Sequence, residues 1–261
     1  MSENNFTTIT KLEPCLDCGL NTEIKYMRVF GEDRKISKFC PACVDKMNQA
    51  ELKEKQEREA RAKQASLEKM FNQTELGKRF HSSTFETYEV TARNQDAVVK
   101  AREYVANWAD NKRQGKGIVF AGSTGTGKSH LMAAITHELY GAGVAVIYKS
   151  TPELLAKIKS AFEPNGSATE SRVFQALVDA DLLLIDDVGT EYKTGWTESV
   201  LYMLINARYQ HMRPTIYSTN LAPKDFEKRV GERIMDRITE TSEIVVMSWP
   251  SYRKGKQLQI G

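Results

Sequence analysis

The sequence has no long apolar segment. No run of apolar residues approaches the ~18 residues that a membrane-spanning helix needs, and the polar start MSENNFTTIT holds no signal-peptide core. We therefore expect a cytoplasmic protein that has no membrane partner. An excess of charge is also missing, because 37 basic and 34 acidic residues give a net charge of only +3. That balance is too small to indicate nucleic-acid binding by itself.

Cysteine is scarce, and beyond Cys43 the sequence has none. The four cysteines form two C-x₂-C pairs, Cys15 with Cys18 and Cys40 with Cys43. Disulfides are rare in the cytosol, so this spacing favours a metal and is close to that of zinc ligands. Four thiolates complete a tetrahedron, so we predict a structural Zn²⁺ that allows this small segment to fold. Free thiols are the alternative.

Composition divides the chain into three parts. Residues 1–47 form the predicted zinc-binding module. Residues 48–79 are densely charged, with pairs such as Glu51 and Lys55 in the order that favours a helix. We predict a charged helical linker there, which is either solvated or binds a partner. From 80 to 261, helices alternate with short apolar strands, which predicts an α/β domain whose parallel sheet is covered on both faces.

The α/β part is predicted to contain a central parallel five-stranded sheet. Each strand is a short apolar run: Gly117–Ala121, Val144–Lys149, Leu182–Ile185, Thr215–Thr219 and Ile244–Met247. Helices are predicted before and between these strands: Asp96–Trp108, Ser129–Tyr140, one opening at Thr151, Glu170–Val178, Thr197–Met212, and further helices through Lys224–Thr239.

The most specific motif follows the first predicted strand. It reads GSTGTGKS and matches G-x-x-x-x-G-K-[ST] without deviation. Its glycines let the backbone N–H groups face phosphate oxygens, and the next helix adds the positive end of its dipole. We predict that this loop binds the phosphates of ATP through Gly122, Ser123, Thr124, Gly125, Thr126, Gly127, Lys128 and Ser129. Lys128 is expected to reach the β- and γ-phosphates, and Ser129 to ligate Mg²⁺.

Polar residues also end two later strands. Asp186 and Asp187 follow the run Leu182–Ile185, at the strand end where ligands bind in open α/β sheets. We predict that Asp186 holds Mg²⁺ through water and that Asp187 polarises the attacking water. Asn220 ends the strand Thr215–Thr219 and is predicted to bond the attacking water and the γ-phosphate, although a strand-end asparagine is usually a turn residue.

Four further segments are distinctive: Gly231–Arg237 (GERIMDR), Trp249–Arg253 (WPSYR), Phe85–Tyr88 and Lys100–Tyr104. These segments resemble those of one branch of the AAA+ ATPases, the DnaC-type replicative helicase loaders. The resemblance covers roughly residues 80–255 and extends to IstB-type transposition helpers and, more distantly, to DnaI-type loaders and the DnaA initiator. It implies an AAA+ P-loop fold, ATP hydrolysis, a hexameric replicative helicase as partner, and single-stranded DNA binding.

The resemblance also assigns roles to arginines. By motif, Arg237 is similar to the arginine finger that one subunit inserts into its neighbour's ATP site, which implies self-association through that site. Arg233 is an alternative finger, and Arg253 is similar to the second sensor that contacts the γ-phosphate within its own subunit. The catalytic set implied by motif and resemblance is Lys128, Asp186, Asp187, Asn220, Arg237 and Arg253. Arginines on polar helix faces more often make only surface pairs.

The sequence departs from many AAA+ proteins in two ways. Asp187 stands where Glu is common, and its shorter side chain positions water less well, so we expect slow hydrolysis. After the last predicted strand there is no room for a helical lid domain, so closure over ATP must depend on a neighbouring subunit. DnaI-type loaders carry an N-terminal zinc domain, whereas many DnaC-type loaders begin with helices. In both, the N-terminal part grips the helicase, which makes residues 1–79 our candidate for that task.

Three residues are candidates for contact with single-stranded DNA. They are Lys159, Phe162 and Trp196, with Lys157 beside the first of them. Aromatic rings stack on bases and lysines attract phosphates, without reading sequence. Phe162 can equally belong to the core, and Trp196, which we place in a loop, can cap the next helix.

The leading hypothesis is therefore an ATP-dependent helicase loader in DNA replication. A transposase helper ATPase acting on duplex DNA is the alternative. An ATP-dependent adaptor that does not hydrolyse ATP is a third possibility, because Asp187 replaces the common Glu.

Overall fold

The fold was analysed in a computed structural model, which describes residues 7–29, 31–71, 80–161, 167–190 and 194–252. Within these ranges, no helix combines the length and the apolar character needed to cross a membrane.

The chain separates into two compact units, Met1–Glu59 and Ala60–Gly261. The first contains three antiparallel strands in the order β1-β2-β3. Their bounds are β1 (Thr7–Pro14), β2 (Asn21–Val29) and β3 (Glu32–Lys35). The hairpin of β2 and β3 lies between the two cysteine pairs.

A single long helix, α1 (Pro41–Phe71), begins in the first unit and continues into the second. The helix therefore begins before residue 48, where the charged linker is predicted to start. Proline at the first helical position suits a helix start, because its missing N–H is not needed there. The early start places Cys43 in the first turn of α1. The part of the predicted linker from 72 to 79 lies outside the described residues, and the three-part division of the chain stays a prediction.

The second unit alternates helices and strands. After α1 come α2 (Gln95–Ala106), α3 (Trp108–Gln114), β4 (Gly117–Ala121), α4 (Lys128–Gly141), β5 (Val146–Ser150), α5 (Thr151–Ala161), α6 (Ser167–Asp179), β6 (Leu182–Asp186), α7 (Gly195–Gln210), β7 (Thr215–Thr219), α8 (Pro223–Val230), α9 (Glu232–Thr241) and β8 (Ser242–Val246). The five strands are parallel and lie in the order β5-β6-β7-β4-β8.

The sheet is buried on both faces, as predicted. Along β6, Leu182 and Leu184 belong to one apolar cluster, and Leu183 and Ile185 belong to the other. Because successive side chains of a strand point to opposite faces, the two clusters lie on opposite sides of the sheet. The predicted α/β fold with five parallel strands is confirmed.

One predicted helix is divided. The helix Asp96–Trp108 breaks at Asn107, which leaves the helical region with ψ of 22°; asparagine is a weak helix former because its side chain competes for backbone hydrogen bonds. The helices predicted through Lys224–Thr239 are α8 and α9, which are separated at Gly231, whose φ of +88° would strain any other residue.

Arg208 joins the strands that carry the polar residues. Its side chain is buried, and its guanidinium donates to the carbonyls of Leu177, Val178, Ala180 and Pro214 and to the Thr215 hydroxyl. Burial lowers the pKa of Arg208 to about 9, so the group stays charged at neutral pH. These bonds tie α7 to the segments that enter β6 and β7, at the opposite ends of these strands from Asp186 and Asn220.

Candidate nucleotide and metal sites

The phosphate loop connects β4 to α4, as its motif predicts. Gly127 has φ of +98°, and a Cβ there would lie 2.5 Å from the Tyr88 hydroxyl oxygen. A side chain is therefore excluded at Gly127 both by conformation and by space. The helix α4 begins at Lys128, so its first N–H groups and its dipole are directed into the loop.

Three oxygens hold the Lys128 ammonium at this loop. It donates to the carbonyl of Gly122 at 2.7 Å, to that of Ser123 at 2.9 Å and to Asn220 Oδ1 at 2.7 Å. Lys128 is only 5% exposed. A buried ammonium held at the loop by hydrogen bonds can form charge-assisted bonds to an anion, so this position fits a phosphate group.

Asp186 lies buried at the end of β6, and both of its carboxylate oxygens accept hydrogen bonds. Oδ1 accepts a short bond from the Ser218 hydroxyl and another from the Asp187 N–H at 3.1 Å. Oδ2 accepts from the Tyr148 hydroxyl at 2.5 Å. Burial, reinforced by the charge of Asp186, raises the pKa of Tyr148, so its hydroxyl stays protonated and donates. With the Ser129 hydroxyl, this carboxylate offers the hard oxygen atoms that fit Mg²⁺.

Asp187, Asn220 and Lys128 are linked in a chain. Asn220 donates through Nδ2 to Asp187 Oδ1 at 2.9 Å and accepts from Lys128 through Oδ1. Asp187 has φ of +56°, a conformation that aspartate tolerates better than most residues. Its N–H donates to the Ser218 hydroxyl at 2.9 Å, which helps to hold this backbone. The structure thus brings together Lys128, Asp186, Asp187 and Asn220, although their catalytic roles stay predictions.

A cavity of about 1010 Å³ lies beside the phosphate loop. Its size is close to the upper end of the range usual for small-molecule sites, about 300–1,000 Å³. The lining comes from the loop and from two segments outside it, including Phe80, Tyr88, Arg93, His130, Trp249 and Tyr252. Two of these segments, around Tyr88 and Trp249, are those that carry the resemblance described above.

The segment around Trp249 is attached to the loop by hydrogen bonds. Trp249 Nε1 donates to the carbonyl of Thr126 at 2.9 Å, and the Tyr252 N–H donates to the carbonyl of Gly125 at 2.9 Å. Arg253, the predicted second sensor, comes directly afterwards and lies outside the described residues.

Comparison with known proteins gives the family. The model of the IstB-like ATP-binding proteins matches residues 42–260. The chain belongs to this family. The replicative helicase loader DnaC of Escherichia coli strain K12 is 32% identical over 199 residues, which are 76% of this chain and 79% of that protein. DnaC of Buchnera aphidicola subsp. Baizongia pistaciae is 27% identical over 194 residues, 74% and 78% of the two chains.

A solved structure agrees with this assignment. The crystal structure of the DnaC helicase loader superposes with a TM-score of 0.60 at 27% identity and covers 66% of this chain and 99% of its own. The predicted resemblance to the DnaC and IstB group is confirmed, and with it the AAA+ fold. The family match begins at residue 42, so Cys15, Cys18 and Cys40 precede the part shared with the IstB-like family.

The predicted arginine finger of this IstB-like protein is held within its own subunit. Arg237 lies on α9 and donates to Asn206 Oδ1 at 2.8 Å and to the carbonyl of Arg233 at 2.7 Å. Its guanidinium also lies 5.3 Å from the ring centre of Tyr202 and 5.5 Å from that of Tyr209. Arg233, the alternative finger, is exposed one turn earlier on the same helix.

The four cysteines lie together in the first unit. Their sulfur atoms are all within 4.8 Å of one another, and those of Cys18 and Cys40 are 3.8 Å apart. Zn–S bonds of ~2.3 Å in a tetrahedron place sulfurs about 3.8 Å apart, so the cluster fits zinc. Backbone N–H groups of Cys18 and Cys40 lower the pKa of Cys15 to about 6, while hydrogen bonds to Cys40 and Asp17 raise the pKa of Cys43. A bound cation is what allows all four thiols to lose their protons.

The candidate DNA contacts lie on two helices. Lys159 is exposed near the end of α5, and Lys157 is half-buried. Trp196 lies in the first turn of α7, not in the predicted loop, and is 37% exposed. The capping box of Thr194 and Thr197 explains why the helix starts before it. Phe162 lies outside the described residues.

Proposed function

We propose that this chain is an ATP-controlled loader that binds a replicative ring helicase and delivers it to single-stranded DNA. The similarity to DnaC over 79% of that protein's length carries the proposal. The linked side chains of Lys128, Asn220 and Asp187 support it, because they form a site suited to sensing a γ-phosphate. A transposase helper ATPase is the second candidate, since the matching family model is named for IstB-like proteins.

The site residues have separate tasks in this proposal. On ATP binding, the Lys128 ammonium gives up its hydrogen bonds to the loop carbonyls and donates to the β- and γ-phosphates instead. The N–H groups of the loop also donate to these phosphates. Ser129 and Asp186 would hold Mg²⁺, which would neutralise charge on the phosphates. Asp187 polarises the attacking water. Asn220 orients that water and hydrogen-bonds the γ-phosphate, so the presence of the γ-phosphate changes the hydrogen bond between Asn220 and Lys128. The short side chain of Asp187 makes hydrolysis slow, which suits a switch.

Completion of the site depends on assembly. The chain self-associates so that Arg237 of one subunit reaches the ATP site of the next, where it stabilises the charge that develops on the γ-phosphate. Arg253 acts from the subunit's own side. Tyr202, Asn206 and Tyr209, all on α7, hold the Arg237 side chain until a neighbour arrives.

Residues 1–79 grip the helicase in this proposal. They divide into the zinc-binding module at 1–47 and the charged helical linker at 48–79. The zinc-binding module exposes apolar side chains, each more than half accessible: Leu12, Leu16, Leu20 and Ile36. Apolar side chains on a small module held by metal are typical of a protein-binding surface.

Co-purification with a hexameric replicative helicase tests the proposed function. The full-length chain with ATP and Mg²⁺ is expected to elute with the helicase in size-exclusion chromatography. A variant with Leu16→Ser and Leu20→Ser is expected to bind ATP normally and to elute separately. Association with a transposase and duplex DNA, and none with a helicase, would establish the second candidate instead.

Zinc content can be measured directly. We expect one tightly bound Zn²⁺ per chain by atomic spectroscopy, and none in the double variant Cys40→Ser, Cys43→Ser, because two ligands of four are removed. Helicase binding should be lost with the metal, while ATP binding remains, since the ATP site is built from residues beyond 80.

The matched control is Glu23→Gln, which changes an exposed acid of the same unit and should keep the metal. Wild-type protein that contains no zinc, or zinc retained by the double variant, contradicts this site.

Trp196 provides a test of DNA binding. Stacking a base on an aromatic ring contributes about 1–3 kcal/mol, so Trp196→Ala is expected to weaken single-strand binding in the ATP state roughly tenfold. The measurement is fluorescence anisotropy with a labelled oligonucleotide. Duplex should compete poorly, because its bases are already stacked, and lysines such as Lys159 should make binding fall with added salt.

Met203→Ala is the control, because Met203 is an exposed apolar residue on the same helix. Single-strand affinity that is equal in the wild type and the Trp196 variant would remove Trp196 from the DNA site.

A further inference from the structure

Tyr148 carries a polar group that the proposed mechanism does not yet use. It lies on β5, beside β6, where it is paired in register with Leu184. Its hydroxyl donates to Asp186 Oδ2 at 2.5 Å. The phenol oxygen therefore directly contacts one of the two residues that are proposed to hold Mg²⁺.

The ring of Tyr148 is held in place. It is half-buried and packs against the apolar cluster that includes Leu182 and Leu184. Its centre lies 6.1 Å from that of the Phe80 ring. Such packing limits the hydroxyl to a small region, so its position relative to Asp186 is part of the fold and not a chance contact of a mobile side chain.

The other carboxylate oxygen of Asp186 is fixed independently. Oδ1 accepts hydrogen bonds from the Ser218 hydroxyl, which lies on β7, and from the N–H of Asp187, which directly follows β6. Without the Tyr148 hydroxyl, Oδ2 would lose its hydrogen-bond donor, and only Oδ1 would be held. Together the three donors prevent the carboxylate from rotating about its final bond, which is the condition for a constant metal geometry.

We propose that Tyr148 is a positioning residue for Mg²⁺: it orients Asp186 and hydrogen-bonds within the water shell of the bound ion. This inference rests on the proposed ATP site and adds a residue that the phosphate-loop and strand-end motifs do not contain. Outer-shell partners of metal ligands commonly change metal affinity by about 10- to 100-fold. A tyrosine that merely satisfies its hydroxyl in the core would affect stability and not the metal.

The test is Tyr148→Phe in the full-length protein, which keeps the ring and removes the hydroxyl. The affinity of a fluorescent ATP analogue is measured with EDTA and across a Mg²⁺ titration. We expect the affinity in EDTA to stay within about twofold, while the gain in affinity from Mg²⁺ falls about tenfold. An equal loss in both conditions, or an unchanged gain from Mg²⁺, overturns the proposal.

Two further variants make the result specific. Tyr104→Phe removes another buried tyrosine hydroxyl, which donates to the carbonyl of Lys116 at 2.9 Å, and should leave the gain from Mg²⁺ unchanged. Asp186→Asn should abolish that gain. If Asp186→Asn keeps it, the magnesium site itself is misplaced and the proposed function loses this support. If only Tyr148→Phe keeps it, the positioning role alone fails.

Discussion

Replacing Lys128 by alanine is expected to remove ATP binding by this chain. The ammonium is buried and held by three oxygens at the phosphate loop, where it can make two charge-assisted bonds to phosphate. Each such bond contributes about 1.5–3 kcal/mol, so the affinity for ATP should fall at least about 100-fold. Equilibrium binding of a fluorescent ATP analogue, followed by a turnover assay at saturating ATP, measures both effects.

The control for this result is Lys116→Ala. Lys116 is an exposed lysine whose ammonium donates to the carbonyl of Glu240, away from the loop, so its loss should leave ATP affinity unchanged. The melting temperature of the Lys128 variant shows whether the loop keeps its fold. A folded Lys128→Ala protein that binds ATP as the wild type does would contradict the assignment of the loop.

The sequence signals for the candidate nucleotide site are local. The phosphate loop is a continuous motif, and Asp186 and Asn220 each end an apolar run. Parallel strands present their carboxyl ends at one edge of the sheet, so residues at those ends are expected to meet. The structure places Asp187, Asn220 and Lys128 in hydrogen-bond contact, which spacing alone could only suggest.

What the sequence did not predict depends on contacts between elements. Tyr148 reads as an ordinary strand aromatic, and its contact with Asp186 follows only from the strand order and register of β5 and β6. Ser218 precedes the predicted Asn220 by two residues, yet its bond to Asp186 requires knowing that β6 and β7 are neighbours. The contacts of Arg237 with Tyr202, Asn206 and Tyr209 depend in the same way on how α7 packs against α9.

The second large effect concerns catalysis between subunits. Arg237→Ala is expected to keep ATP affinity but to lose hydrolysis, because the arginine acts on the neighbour's γ-phosphate. Arginine fingers contribute roughly 10³- to 10⁵-fold in other NTPases, so turnover should fall to the detection limit. Asp187→Asn is expected to lose turnover as well, because it removes the carboxylate that polarises water.

Mixing these two inactive variants distinguishes a finger in trans from one in cis. An interface is competent when the Arg237→Ala subunit supplies the ATP site and the Asp187→Asn subunit supplies the finger. In a random one-to-one mixture about one quarter of the interfaces have this arrangement, so activity should return to about that fraction of the wild-type value. A finger that acts within its own subunit gives no recovery at any ratio.

Arg233→Ala separates the two candidate arginines. Arg233 is exposed and lies one turn from Arg237. The Arg233→Ala variant therefore removes the same charge as Arg237→Ala does, but it keeps the contacts of Arg237 with Tyr202, Asn206 and Tyr209. We expect Arg233→Ala to retain hydrolysis.

Arg237→Ala also removes those contacts, so its assembly with the Asp187 variant must be shown by size-exclusion chromatography with ATP. If co-assembly is intact and the mixture stays inactive, Arg237 is not a finger in trans. The finger is Arg233 if, in addition, Arg233→Ala abolishes hydrolysis and mixing that variant with Asp187→Asn restores it. The contacts of Arg237 with Tyr202 and Tyr209 then serve only the fold.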